Sequence, residues 1–206
     1  MTDRRSLRRR MRQARRALSP RQRQQLAEAV DRRLHRHKLF YASRHIAAYL
    51  AVDGEVDATP LMQRAWTMGK ILYLPVLLPC GENRLWFAPY RPEDKLVPNR
   101  FGILEPARAA HTRVSPHRLD LVLAPLVAFD NQGNRLGMGG GFYDRSFAYL
   151  ARHRSYRRPR LLGLAYEFQR QPQLDHQPWD VPLAGVVTEA RISLFDFNTT
   201  SKRGRE

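Results

Sequence analysis

Apolar residues recur along this chain with two different periods, and the change between them falls near residue 45. Before it, Leu7, Met11, Ala14 and Leu18 stand at helical spacing and lend a narrow apolar stripe to an otherwise cationic helix. Ser19 and Pro20 then open a second helix, with proline at its first position, whose buried face carries Leu26, Val30 and Leu34. Residues 1–40 thus read as a basic helical hairpin laid on the main body. Beyond it, short apolar runs alternate with helical stretches. Strands are predicted over 45–51, 71–76, 84–90, 119–125, 161–165 and 185–188, and helices over 59–68 and 142–153. This order predicts an α/β fold: a three-layer α/β/α body over 45–196 around a mostly parallel sheet. The stretch 89–116, rich in proline and charge, reads as a long surface excursion, and the polar residues 197–206 as a flexible tail. No internal repeat divides the chain, so a single domain over 1–206 is expected.

Composition narrows the class. With 206 residues, 43% of them hydrophobic, the chain can bury a sizeable core. No run approaches the roughly 18 to 20 apolar residues of a membrane helix, and the N-terminus lacks the apolar core of a secretory signal, so a cytoplasmic protein is expected. An arginine-rich start also suits an organelle transit peptide, but here it reads as part of the fold. The single Cys80 excludes an internal disulfide and reads as a half-buried thiol at a strand end. The 7 histidines show no zinc-binding spacing.

Charge adds a rival. Against 19 acidic residues stand 36 basic ones, a net charge of +17, and residues 1–38 alone contribute +11. Such a start suits a phosphate-tracking nucleic-acid surface, although the rest of the chain carries no RNA-binding or helix-turn-helix signature.

The densest chemical signal is FDNQGNRLGMGGGFYDR, which gathers Gly133, Gly137, Gly139, Gly140 and Gly141 between an apolar strand and a helix. A strand-to-helix junction presents free backbone N–H groups and the positive end of a helix dipole. Glycine there permits positive φ and close approach of an anion. Arg135 and Arg145 add cations. The run is neither GxxxxGK(S/T) nor GxGxxG, and a plain surface turn is its bland alternative. Asp144, in the first helical turn, would repel a polyphosphate unless a divalent cation lay between them, which suggests magnesium with a nucleotide. A small-molecule kinase or other ATP-dependent ligase would use the same loop.

The run LDLVLAPLVAFDNQGNRLGMGGGFYDR resembles the signature of the 5-formyltetrahydrofolate cyclo-ligases, also called methenyltetrahydrofolate synthetases. The segments RRSLR, YLAVDGEVD, GKILYLPV, FGILEP and WDVPLAGVVTE extend the resemblance over about residues 4–196. It implies transfer of the ATP γ-phosphoryl group to the formyl oxygen of 5-formyltetrahydrofolate. Attack by N10 and loss of phosphate then give 5,10-methenyltetrahydrofolate and ADP, so the protein mainly positions and neutralises charge.

By the same resemblance, Arg4, Arg5, Ser6, Leu7 and Arg8 contact ATP together with Arg135, Leu136, Gly137, Met138, Gly139, Gly140, Gly141, Phe142 and Tyr143. Arg8, Leu50, Glu55 and the loop residues Met138, Gly139, Gly140, Gly141 and Phe142 meet the folate, and Asp144 and Asp180 hold magnesium. Arg8, Arg135 and Asp144 carry the catalytic roles. Arg4 stands where relatives often have lysine, Phe142 where they often have tyrosine, and Leu85 replaces a frequent methionine. Asp53 and Asp57 are expected on the surface, Trp66 in a helix core, and Trp86, Phe87, Tyr90 and Phe101 either in a folate wall or in the core. The implied partner is a reduced folate, polyglutamylated forms included, with no specific nucleic acid, no membrane and a monomeric protein.

Overall fold

The computed structural model describes residues 3–78, 83–152 and 158–195. Cys80, the predicted helix end at 153 and the polar tail lie outside the described residues. Helix α1 (Arg4–Ala17) starts at Asp3, whose carboxylate accepts the N–H groups of Arg5 and Ser6 and satisfies donors that the first turn leaves open. Helix α2 (Pro20–Leu34) starts with a reciprocal cap between Ser19 and Gln22 and the predicted proline. The pair is less a hairpin than two separate dockings. Leu7 and Met11 of α1 pack with Val127, Ala128, Leu136 and Leu174, whereas Val30 and Leu34 of α2 join the main core.

A one-turn helix α3 (Lys38–Tyr41) leads to strand β1 (His45–Ala47), helix α4 (Thr59–Thr67), and strands β2 (Ile71–Leu77) and β3 (Leu85–Pro89). Then come β4 (Leu96–Pro98), β5 (Leu104–Pro106), the short helix α5 (Ala109–Thr112) and β6 (Leu121–Pro125). The chain continues through β7 (Ala128–Phe129), β8 (Arg135–Leu136), helix α6 (Phe142–Arg152), β9 (Arg160–Leu164), β10 (Gly185–Val187) and β11 (Ile192–Leu194). Seven strands form the main sheet in the order β11-β10-β9-β6-β1-β2-β3, parallel except at its two antiparallel edges. Alternation within the strands sends side chains to opposite faces. Ile46, Leu72, Leu74, Leu121, Leu123 and Leu162 meet α2 and α4, while Ala47, Tyr73, Val122, Leu161 and Val186 meet Phe147 of α6. Covered on both faces, β6 is an unbroken apolar run, as central parallel strands are. Among the described residues, no helix is long and apolar enough to cross a membrane.

Three predicted features change. The first strand stops at Ala47 rather than 51: Ala48 gives its N–H to the Tyr73 carbonyl, and the chain then leaves the sheet for a turn at Asp53 and Gly54. The excursion 89–116 contains the β4–β5 hairpin, pinned to the sheet where Glu105 accepts the Leu77 N–H. The glycine-rich run is two turns rather than one, because β7 and β8 pair between the sheet and α6.

Candidate active site

The carboxyl ends of β1, β2 and β6 open into a cavity of about 480 Å³, where an open parallel sheet places its ligands. α1 covers one side. Arg4 and Arg8 line the cavity one helical turn apart, and Arg8 donates from Nε to the Gly137 carbonyl at 2.8 Å. Burial, and then the neighbouring Arg4, lower the Arg8 pKa, because two guanidinium groups crowd one partly desolvated wall.

The loop Gly137–Gly141 forms the next wall. Gly139 and Gly141 have φ of 109° and 64°, values that a side chain would strain. Gly133, the first glycine of the run, lies in the β7–β8 turn and contributes nothing to the cavity. Among the described residues, no protein acceptor takes a backbone N–H from Gly137 to Asp144, the loop and the first turn of α6. Those donors and the helix dipole make a cradle for phosphate. Arg145 folds back on the loop, donating to the carbonyls of Gly140 and Asn83.

Behind the cradle, buried Arg135 donates to Asp144 Oδ1 at 2.6 Å and to the Val181 carbonyl, and the Val181 N–H also reaches Asp144. The neighbouring Asp180 accepts the Gln177 N–H and pairs with Arg4 at 3.4 Å. Two carboxylates from distant parts of the chain are thereby brought to one wall. Among the described residues, Asp144 Oδ2 and Asp180 Oδ1 accept no hydrogen bond, and no group of three or more metal-ligating side chains forms. That donor set fits magnesium, which takes one or two carboxylates and fills its shell with phosphate oxygens and water.

The deep end is different in kind. Tyr49, Leu50, Leu74 and Leu85 are apolar walls around Glu55. Burial raises the Glu55 pKa, against the opposing pull of the Val52 N–H and Arg15. Burial also raises the pKa values of Tyr49 and Tyr143, which keep their phenolic protons.

The structure thus gathers Arg4, Arg8, Leu50, Glu55, Arg135, Gly137, Met138, Gly139, Gly140, Gly141, Phe142, Tyr143, Asp144 and Asp180 on one cavity. It does not bring Leu7 and Leu136 there, because both fill the small core beneath α1, and Arg5 lines a separate cationic cleft on α1. Ser6 is exposed and donates its hydroxyl to Asp3. Of the four aromatic wall candidates only Phe101 lines the cavity; Phe87 is core, Trp86 lies under the Arg113 guanidinium, and Tyr90 packs on Trp66. Asp53 is no surface residue: its side chain is 12% exposed and pairs with Arg12, Arg15 and Arg16. Sequence reasoning missed Tyr49, Gln177, Trp179 and the hairpin residues Asn99, Ile103 and Leu104. The exposed apolar run of the hairpin was the available signal for the last of these.

The profile of the 5-formyltetrahydrofolate cyclo-ligase family matches residues 1–189. A 5-formyltetrahydrofolate cyclo-ligase of Escherichia coli is 38% identical over 182 residues, covering 88% of this chain and 98% of its own. One of Haemophilus influenzae is 41% identical over 145 residues, covering 70% of this chain and 75% of its own. The solved structure of Aquifex aeolicus 5,10-methenyltetrahydrofolate synthetase is similar with a TM-score of 0.77 at 33% identity, over 98% of this chain and 95% of that one.

Proposed function

The chain belongs to the 5-formyltetrahydrofolate cyclo-ligase family, and from that premise we propose how its cavity carries out the ATP-dependent conversion of 5-formyltetrahydrofolate to 5,10-methenyltetrahydrofolate. The triphosphate lies on the unpaired N–H groups of residues 137–144, between Arg4 and Arg8. The pterin enters the deep end, where the Glu55 carboxylate accepts from its donor edge. The formyl oxygen then attacks the γ-phosphorus and the bond to ADP breaks. N10 attacks the activated carbon, phosphate departs with the C–O electron pair, and N10 loses its proton. Asp144 and Asp180 would hold magnesium, which would supply charge neutralisation to the phosphates. Arg135 keeps those two carboxylates together through Asp144 and Val181. We take the enzyme to be a cytoplasmic monomer of one domain.

The observation that carries this is the junction of two unlike ends in one cavity: a cationic cradle of open N–H groups, and an apolar pocket around one carboxylate. With magnesium, ATP and 5-formyltetrahydrofolate together, the protein should release ADP in step with growth of the product's near-ultraviolet absorbance. Folded protein that does neither overturns the proposal. Because burial raises the Glu55 pKa, protonation removes its charge at a higher pH than for an exposed glutamate. The folate kcat/KM should therefore fall as pH drops through that raised value, and Glu55→Gln should abolish this limb.

A further inference from the structure

Arg15 is fully buried, yet no part of it touches the cavity. It follows Arg4 and Arg8 on α1 by three and two helical turns, so all three lie on one face of the helix. Its guanidinium donates to the Leu126 carbonyl at 3.3 Å and to Asp53 at 3.2 Å, and its Nη1 stands 3.8 Å from Glu55 Oε1. Its Nε has no hydrogen-bond partner among the described residues. The turn it holds is itself constrained. Asp53 has φ of 53°, a left-handed value for a residue with a side chain, and a Cβ on Gly54 would come within 3.1 Å of the Arg15 carbonyl oxygen. Glu55 is locked from the other side, where Oε2 accepts the Val52 N–H at 3.1 Å.

A guanidinium with one nitrogen unsatisfied is a costly way to fill a core, and an apolar side chain of similar volume often packs there as well. What such a side chain cannot do is aim two carboxylates. We propose that Arg15 is a positioning residue for folate: it clamps the Asp53–Gly54 turn and holds the Glu55 carboxylate in the cavity. It also makes α1 a strut, with the phosphate-side cations Arg4 and Arg8 at one end and the folate carboxylate's support at the other. This rests on the assignment of Glu55 to the folate.

The test is a double-mutant cycle of Arg15→Met and Glu55→Gln, read as separate KM values for folate and ATP, with thermal melting as a check on folding. Each single variant should raise the folate KM about tenfold and leave the ATP KM within about twofold, and the double should match the larger single. Full multiplication of the two effects, or an equal rise in both KM values for Arg15→Met, overturns the positioning role. A wild-type folate KM in Glu55→Gln overturns instead the assignment of Glu55 on which the role rests. Should Arg15→Met fail to fold, Arg15→Lys keeps the charge and loses the fork. It should raise the folate KM severalfold with ATP unaffected, and a wild-type value there also overturns the proposal.

Discussion

Two turns flank β8, both drawn from the same glycine-rich run, and they end in opposite states. In the first, buried Asp130 accepts the N–H groups of Gln132, Asn134 and Leu174 and the Asn134 side-chain amide, so the turn is closed on itself. Gly133 is pressed against the Leu183 carbonyl and the Phe195 ring. In the second, Gly137–Gly141, the carbonyls of Gly137 and Gly140 are tied back by Arg8 and Arg145 while the N–H groups of these cavity-lining residues have no protein acceptor among the described residues. Glycine serves the first turn by fitting a crowded position and the second by leaving room for something else. Composition cannot distinguish these uses; only the partner of each backbone group does.

That contrast predicts that damage to the closed turn costs stability and damage to the open one costs activity. The largest effect is expected from Asp130→Ala, which orphans four donors: denaturant melting should show a loss of about 4 kcal/mol, with both KM values near wild type. Asp144→Asn should lower turnover about 100-fold, most sharply at limiting magnesium, with a melting loss smaller than that of Asp130→Ala, since buried Arg135 loses its counter-charge but keeps an amide oxygen to donate to. Unaltered magnesium dependence would remove Asp144 from the metal site. Gly133→Ala forces a Cβ within 3.0 Å of the Leu183 carbonyl oxygen at a φ of 86°, and should cost about 2 kcal/mol in the same melt without touching kinetics. Gly141→Ala is the mildest, since the atoms nearest its new Cβ belong to the end of the Arg145 side chain rather than to backbone; the ATP KM should rise about fivefold through strain at φ 64°. A melting loss larger than the kinetic loss in Gly141→Ala would erase the distinction between the turns.

The arginines of the N-terminal segment show a similar division. Arg4 and Arg8 face the cavity, whereas Arg12, Arg15 and Arg16 converge on Asp53 and dock the helix. Burial works against the Asp53 charge, but the hydrogen bonds from Arg12 and Arg16 outweigh it and hold the carboxyl below its ordinary range. A basic helix that looks like a nucleic-acid surface in composition therefore commits three of its cations to a carboxylate of its own fold, Arg15 from the core and Arg12 and Arg16 from the exposed side.

Much of the architecture was legible because periodicity reports it directly. Leu121, Val122, Leu123 and Ala124 form an apolar run that only a doubly covered strand needs, and Ser19, Pro20 and Gln22 carry a helix start in the chemistry of their own side chains. The glycine-rich loop proposed to hold phosphate was legible for the same reason, since strand, glycines and helix lie consecutively in the chain. The rest depended on contacts between distant segments. Nothing near Asp180 in sequence shows that Val181 will donate to Asp144, or that Arg4 will pair with Asp180. Asp53 looked like a solvated acid because its three partners lie on α1, far back in the chain. Local order along the chain determined the elements, the glycine-rich loop between β8 and α6 and the resemblance to a folate enzyme. Which carboxylates meet, and which arginines are structural, was decided only by packing, because charge and hydrogen-bond partners are set by distance in space rather than by distance in sequence.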